Sequence, residues 1–186
     1  MMENKLAHSG SEKASKVILY IAVSLDGYIA RVNGDVSWLD AYQNVDYGYA
    51  DFVEEVGAVI MGSRTYEMIP SLGGWPYGNR KGFVVTGRKL RATDGIDIEF
   101  TSDLLPLIVR KAKRAAMGKA VYLVGGDELA TSFVNQGLID EMLLFIIPTL
   151  LGGGISLFRT VHACPTFRLV KIIPYKNCVV QLHYRK

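Results

Sequence analysis

The chain has 186 residues, 49% of them hydrophobic and 21% charged, which suits one folded domain and excludes a disordered chain. Its net charge of +3, from 21 Lys and Arg against 18 Asp and Glu, is too small and scattered for nucleic-acid binding by bulk electrostatics. No apolar run reaches the ~18 residues of a membrane span, and Cys164 and Cys178 make neither a disulfide framework nor a zinc motif, which suits a reducing cytoplasm.

Residues 1–16 are polar and rich in Ser and Lys, without the apolar core of a signal peptide, and are expected to form a loose, disordered tail. Val17 to Ser24 is hydrophobic on both faces and rich in β-branched residues, so it predicts a central strand, ended by Leu25-Asp26-Gly27. A polar loop with a turn at Asn33-Gly34-Asp35 leads to Trp38, and Tyr47 to Val56 has weak helical spacing. Ala58 to Met61 predicts a second buried strand, followed by a helix from Ser63 that Pro70 stops. The glycines and proline of 71–81 demand irregular chain, after which Phe83 to Thr86 and Ile96 to Phe100 predict two more strands.

Leu104 to Met117 is amphipathic, with Pro106 in the first turn, where a missing N–H is harmless. Val121 to Val124 predicts a strand ending at Gly125-Gly126, and Asp127 to Gln136 a helix closed by Gly137. Glu141 to Leu150 predicts a long strand; Gly152-Gly153-Gly154 a flexible turn rather than a phosphate loop; 166–174 and 179–184 a terminal antiparallel pair. The order predicts a single α/β domain over 17–186, about eight strands with four helical segments.

In open α/β sheets ligands gather at the carboxyl ends of the strands. Three such ends carry small or hydroxyl residues followed by a helix or a basic turn: Met61-Gly62-Ser63-Arg64-Thr65, Val85-Thr86-Gly87-Arg88 and Val124-Gly125-Gly126-Asp127-Glu128. Glycine allows close backbone approach, helix N-termini offer free N–H groups, and forked guanidinium bonds suit phosphates. Each piece alone is equally a turn or a solvated arginine. Neither G-x-G-x-x-G nor a Walker loop is present.

In these residues, in Ile21-Ala22-Val23-Ser24 and in Val59 to Tyr66, the sequence resembles the dihydrofolate reductase superfamily over nearly the whole chain after the tail. Ser24-Leu25-Asp26-Gly27, Ile139-Asp140-Glu141 and Pro148 to Phe158 resemble its riboflavin-biosynthesis branch, the reductase C-terminal domain of the bifunctional pyrimidine deaminase/reductase, in free-standing form. The resemblance implies a three-layer α/β/α fold and an NADPH-dependent reductase acting on a ribosylaminopyrimidine or pteridine-like heterocycle, commonly as a homodimer. Dihydrofolate reductase activity and a catalytically silent nucleotide-binding module are the alternatives.

By the same resemblance Ala22 and Ile29 line the nicotinamide. Gly62, Ser63, Arg64 and Thr65 hold the diphosphate and 2′-phosphate, and Thr86, Gly87 and Arg88 surround the adenosine end. Val124 precedes a cis peptide between Gly125 and Gly126, and Asp127, Glu128 and Leu129 offer backbone N–H groups. On the substrate side stand Asp26, Trp38 and Arg80. Asp46, fifteen positions before Met61, falls where a desolvated carboxylate assists protonation in folate enzymes; it is equally an N-cap. Trp38 and Arg80 also read as core and as a solvated turn.

Overall fold

The computed structural model describes residues 14–186. Residues 1–13 of the expected tail lie outside the described residues; within its last part Ser15 is buried, and the Lys16 carbonyl accepts the Val121 N–H at 2.8 Å.

The elements are β1 (Val17–Ser24), β2 (Tyr28–Ala30), α1 (Tyr49–Glu54), β3 (Val56–Gly62), α2 (Ser63–Met68), β4 (Lys81–Val85), β5 (Ile98–Thr101) and α3 (Leu105–Ala115). There follow β6 (Ala120–Gly125), α4 (Asp127–Asn135), β7 (Glu141–Ile147), β8 (Ile155–Ser156), β9 (Arg168–Pro174) and β10 (Val180–Arg185), with 3-10 turns at Ser37–Tyr42 and Ile69–Leu72. One eight-stranded sheet runs in the order β5-β4-β3-β6-β1-β7-β10-β9. It is parallel from β5 to β7, while β10 is antiparallel to both β7 and β9.

The central strands read as unbroken apolar runs because both sheet faces are covered. On one face Leu19, Ile60, Phe83 and Leu123 meet Ile108 and Ala112 of α3 and Phe133 of α4, all essentially inaccessible. Each large side chain so buried contributes about 2 to 3 kcal/mol of transfer free energy. On the other face Val59, Met61, Val84 and Tyr122 pack with Tyr66, Ile69 and Tyr77. A third cluster joins Trp38, Phe145, Ile147 and Val179. Pro106 lies in the first turn of α3 and Lys113 and Arg114 in its last, where cations suit the helix dipole.

Several boundaries differ from the sequence expectation for identifiable reasons. β7 stops at Ile147, because Pro148 has no N–H to continue a ladder. The loop before Trp38 contains β2, which pairs with β8; runs of three and two residues carry no readable period. Of the triple glycine, Gly152 and Gly153 have no atom within 4 Å of a Cβ position, and only Gly154 is closely packed. A Cβ on Gly154 would lie 2.2 Å from the Ala30 carbonyl oxygen, so only glycine lets β8 approach β2.

Candidate functional site

Two strand-to-helix junctions lie side by side at the carboxyl ends of β3 and β6. Met61 pairs with Gly125 across these strands, and each chain then turns directly into a helix, α2 or α4. Between the two junctions opens a cleft of about 400 Å³ lined by Gly62, Ser63, Arg64, Thr65, Gly126, Asp127, Glu128 and Leu129. All eight were marked from sequence. Val85, Leu105, Ser132 and Gln136 complete the wall.

Gly62 is the informative glycine of this floor, because its backbone does not require one. Gly62 has φ −80° and Gly126 φ −82°, ordinary for any residue. A Cβ on Gly62 would come no nearer than 4.0 Å to its neighbours, the Gly125 oxygen and Gly126 nitrogen; on Gly126 the nearest atom would be Thr65 Oγ1 at 3.7 Å. A side chain therefore fits sterically, and its absence leaves open floor, the room a nucleotide diphosphate needs against a backbone. The residues present fit NADPH in this respect. The Gly125–Gly126 peptide is cis, as the resemblance implies.

The rim is charged. Arg64 lies 3.0 Å from Glu128; Arg88, outside the cleft lining, makes a forked pair with Glu67 of α2, at 2.6 and 3.2 Å. Thr86, Gly87 and Arg88 continue from the end of β4, where Thr86 Oγ1 accepts the Arg88 N–H at 3.0 Å. Arg159 was missed from sequence. It ion-pairs with the buried Asp127 and lies 2.9 Å from Glu128. No local spacing marks it, since acids opening a helix are already favoured by the helix N-terminus and do not call for a cation.

The residues expected beyond the cleft are distributed differently. Ala22 packs at the edge of the Trp38–Phe145 cluster and Ile29 against the main core. Asp26 is spent on the chain itself: it accepts the Ser24 hydroxyl at 2.6 Å, the Leu151 N–H at 3.1 Å and the Gly152 N–H at 2.7 Å. The Ser24 hydroxyl bond, with the two N–H bonds, holds its carboxyl below the usual carboxylate range. Arg80 donates to the Val56 and Tyr77 carbonyls at 2.8 and 2.9 Å, at the amino end of β3 and away from the cleft lining. Trp38 is core, with its Nε1 buried and without a hydrogen-bond partner among the described residues.

Asp46 is exposed and accepts the Gly48 N–H at 2.8 Å, a local turn bond. The desolvation expected of a proton-delivering carboxylate is therefore not found there. Nor is Asp46 an N-cap by side chain: Gly48 precedes α1. Beside it Tyr20 stacks on Phe52 with ring centroids 4.6 Å apart and meets Phe145 at 4.5 Å. Burial, chiefly, pushes the Tyr20 phenol well above its ordinary pKa, with neighbouring phenols and Asp46 adding to the shift.

This strand order, with glycine-floored junctions at β3 and β6, defines a dihydrofolate reductase-like α/β fold. The chain belongs to the RibD C-terminal domain family, whose model matches residues 15–180. The uncharacterized protein YwjB of Bacillus subtilis (strain 168) is 36% identical over 171 residues, covering 91% of this chain and 97% of YwjB. A Shewanella sp. PV-4 crystal structure, provisionally assigned to riboflavin biosynthesis, superposes with a TM-score of 0.80 at 29% identity, covering 91% and 98% of the two chains. The fold is shared with the Thermotoga maritima diaminohydroxyphosphoribosylaminopyrimidine deaminase/5-amino-6-(5-phosphoribosylamino)uracil reductase, at TM-score 0.68 and 16% identity over 94% of this chain and 57% of that one. It is shared equally with Enterococcus faecalis dihydrofolate reductase complexed with NADP(H), at 0.66 and 15% over 93% and 96%.

Proposed function

We propose that this protein is an NADPH-dependent reductase acting on a small heterocycle of the ribosylaminopyrimidine or pteridine type. The observation that carries the reading is the open floor of the cleft, where Gly62 leaves out a side chain that neither backbone nor packing forbids. Membership of a family named for a riboflavin-biosynthesis protein supports the same reading. When bound, NADPH supplies the hydride. The chain's part is to hold and orient it: Gly62 to Thr65 and Gly126 to Leu129 by backbone and hydroxyl groups, Arg64 and Arg88 by charge. The folate variant is the less supported one, since Asp46 lacks the desolvation it needs.

The reading includes a cytoplasmic setting, supported by the unpaired, exposed Cys164 and Cys178, and a homodimer. Leu144, Leu182 and Ile172 lie side by side across β7, β10 and β9, and Leu169, Val170 and Ile172 are exposed on that edge strand. Sedimentation velocity giving twice the monomer mass is the expected result.

Isothermal titration of the protein with NADPH tests the cofactor. Saturable binding is expected, and its absence overturns the proposal. Arg64→Ala is expected to weaken NADPH about tenfold more than NADH, roughly 1.4 kcal/mol of 2′-phosphate contact. Equal losses for the two would remove the 2′-phosphate role. Oxidation of NADPH against a panel of ribosylaminopyrimidines and dihydropteridines then separates an enzyme from a module that only binds.

A further inference from the structure

Two arginines from distant parts of the chain converge on one oxygen at the rim of the cleft. Arg64 Nη2 lies 3.0 Å from Glu128 Oε1, and Arg159 Nη1 lies 2.9 Å from the same atom. The arginines differ in how firmly they are placed. Arg159 is strapped to α4: its N–H donates to Thr131 Oγ1 at 2.9 Å, and its Nε is paired with the buried Asp127. Asn135 then holds the next turn through the Thr160 carbonyl at 3.1 Å and the His162 N–H at 2.8 Å. Glu128, in contrast, has a side chain 55% exposed, and the two guanidiniums are its only side-chain partners among the described residues.

An exposed carboxylate held this way is only weakly bound. A phosphate or diphosphate carries more charge and more acceptor oxygens, and it meets a guanidinium fork in the same bidentate geometry. We infer that Arg64 and Arg159 form a two-arginine phosphate seat, and that Glu128 fills it only until a phosphate-bearing ligand displaces it. Asp127 stays with Arg159 Nε throughout, which leaves the Nη groups to the ligand. Glu128 then sets specificity by competition: a ligand without a phosphate cannot displace it and gains nothing from the seat. This inference rests on the reading that the cleft takes a phosphate-bearing nucleotide.

Isothermal titration of the wild type, Glu128→Gln, Arg159→Gln and Arg159→Lys with inorganic pyrophosphate, and separately with NADPH, tests it. Removing the competitor is expected to tighten pyrophosphate about 5- to 10-fold in Glu128→Gln, while Arg159→Gln weakens it about tenfold or more. Arg159→Lys, which keeps the charge and loses the fork, is expected to fall between. Glu128 is exposed and its change leaves the core untouched, so that variant tests the seat even where Arg159→Gln fails to fold. Affinity in Glu128→Gln that is unchanged or weaker for both ligands overturns the seat, and wild-type NADPH binding would leave the nucleotide reading standing. Tighter pyrophosphate binding in Glu128→Gln with no NADPH binding by any form supports the seat and overturns the nucleotide reading.

Discussion

The two ends of the parallel sheet are built from the same residue types and use them in opposite ways. At the carboxyl end of β3, Gly62 faces open floor; at the amino end of the same strand, a Cβ on Gly57 would lie 2.3 Å from the Ala116 carbonyl oxygen. One glycine keeps space for something else, the other admits the end of α3. The charges repeat the contrast. At the cleft, Glu128 bridges Arg64 and Arg159 in the open. At the amino ends of β1 and β7, the buried Glu141 takes Lys16 at 2.5 Å, His183 at 2.6 Å and Arg185 at 3.0 Å. Residue type alone therefore says little about role here; what decides it is whether the surroundings already satisfy the residue.

The glycine pair gives the largest expected effects. Gly57→Ala forces a methyl into the backbone of Ala116, and a loss of about 3 kcal/mol of stability is expected, the upper part of the range for overpacking. Gly62→Ala is expected to leave the urea midpoint nearly unchanged and to raise the NADPH dissociation constant roughly 10- to 100-fold, about 1.4 to 2.7 kcal/mol. Equal stability losses in the two would erase the contrast and, with it, the case that the cleft floor is kept open for a ligand.

A smaller effect separates the two glutamates. Glu141→Gln keeps the volume but exchanges charge-assisted bonds for neutral ones beside three basic side chains, and about 2 kcal/mol of stability should be lost. Glu128→Gln removes only exposed pairs and should cost about 0 to 1 kcal/mol. Thermal or urea unfolding of both measures the difference, and comparable losses would show that the burial of Glu141 contributes nothing special.

The cleft was legible from sequence because its parts are local. A buried strand, a glycine and a helix start are consecutive residues in 61–65 and 124–129, so period and punctuation reveal them. What was not legible depends on long-range closure. Arg159 follows a two-residue strand and is given its place by Asp127, thirty-two positions earlier. Asp26 looked free until the Leu151 and Gly152 N–H groups reached it. Arg80 stands beside two polar neighbours in sequence, yet its guanidinium caps carbonyls of Val56 and Tyr77. Trp38 read equally well as pocket wall or core, and only packing against Phe145 and Ile147 decided it. The sheet was readable where strands are buried on both faces, and failed at β2 and β8, whose few residues pair across the chain.

The smallest expected effect is a pH dependence confined to one end of the sheet. Burial pushes the Glu141 carboxyl up, but the bonds from Lys16, His183 and Arg185 outweigh it and hold the group below its ordinary value. In the unfolded chain the same carboxyl has its ordinary pKa, so over the interval between the two values the unfolded state binds more protons. Stability accordingly rises with pH across that interval: the contribution is complete above the ordinary glutamate range and is lost as pH falls through the lower, folded value. Urea midpoints from about pH 7 down to about pH 3.5 should therefore show the advantage of the wild type over Glu141→Gln shrinking once the pH drops below about 5. Other carboxylates held low, Asp26 and Asp103 among them, are common to both proteins and cancel in the difference. An advantage that stays constant across the whole range would mean that packing around Glu141, and not its charge, stabilises the closed end.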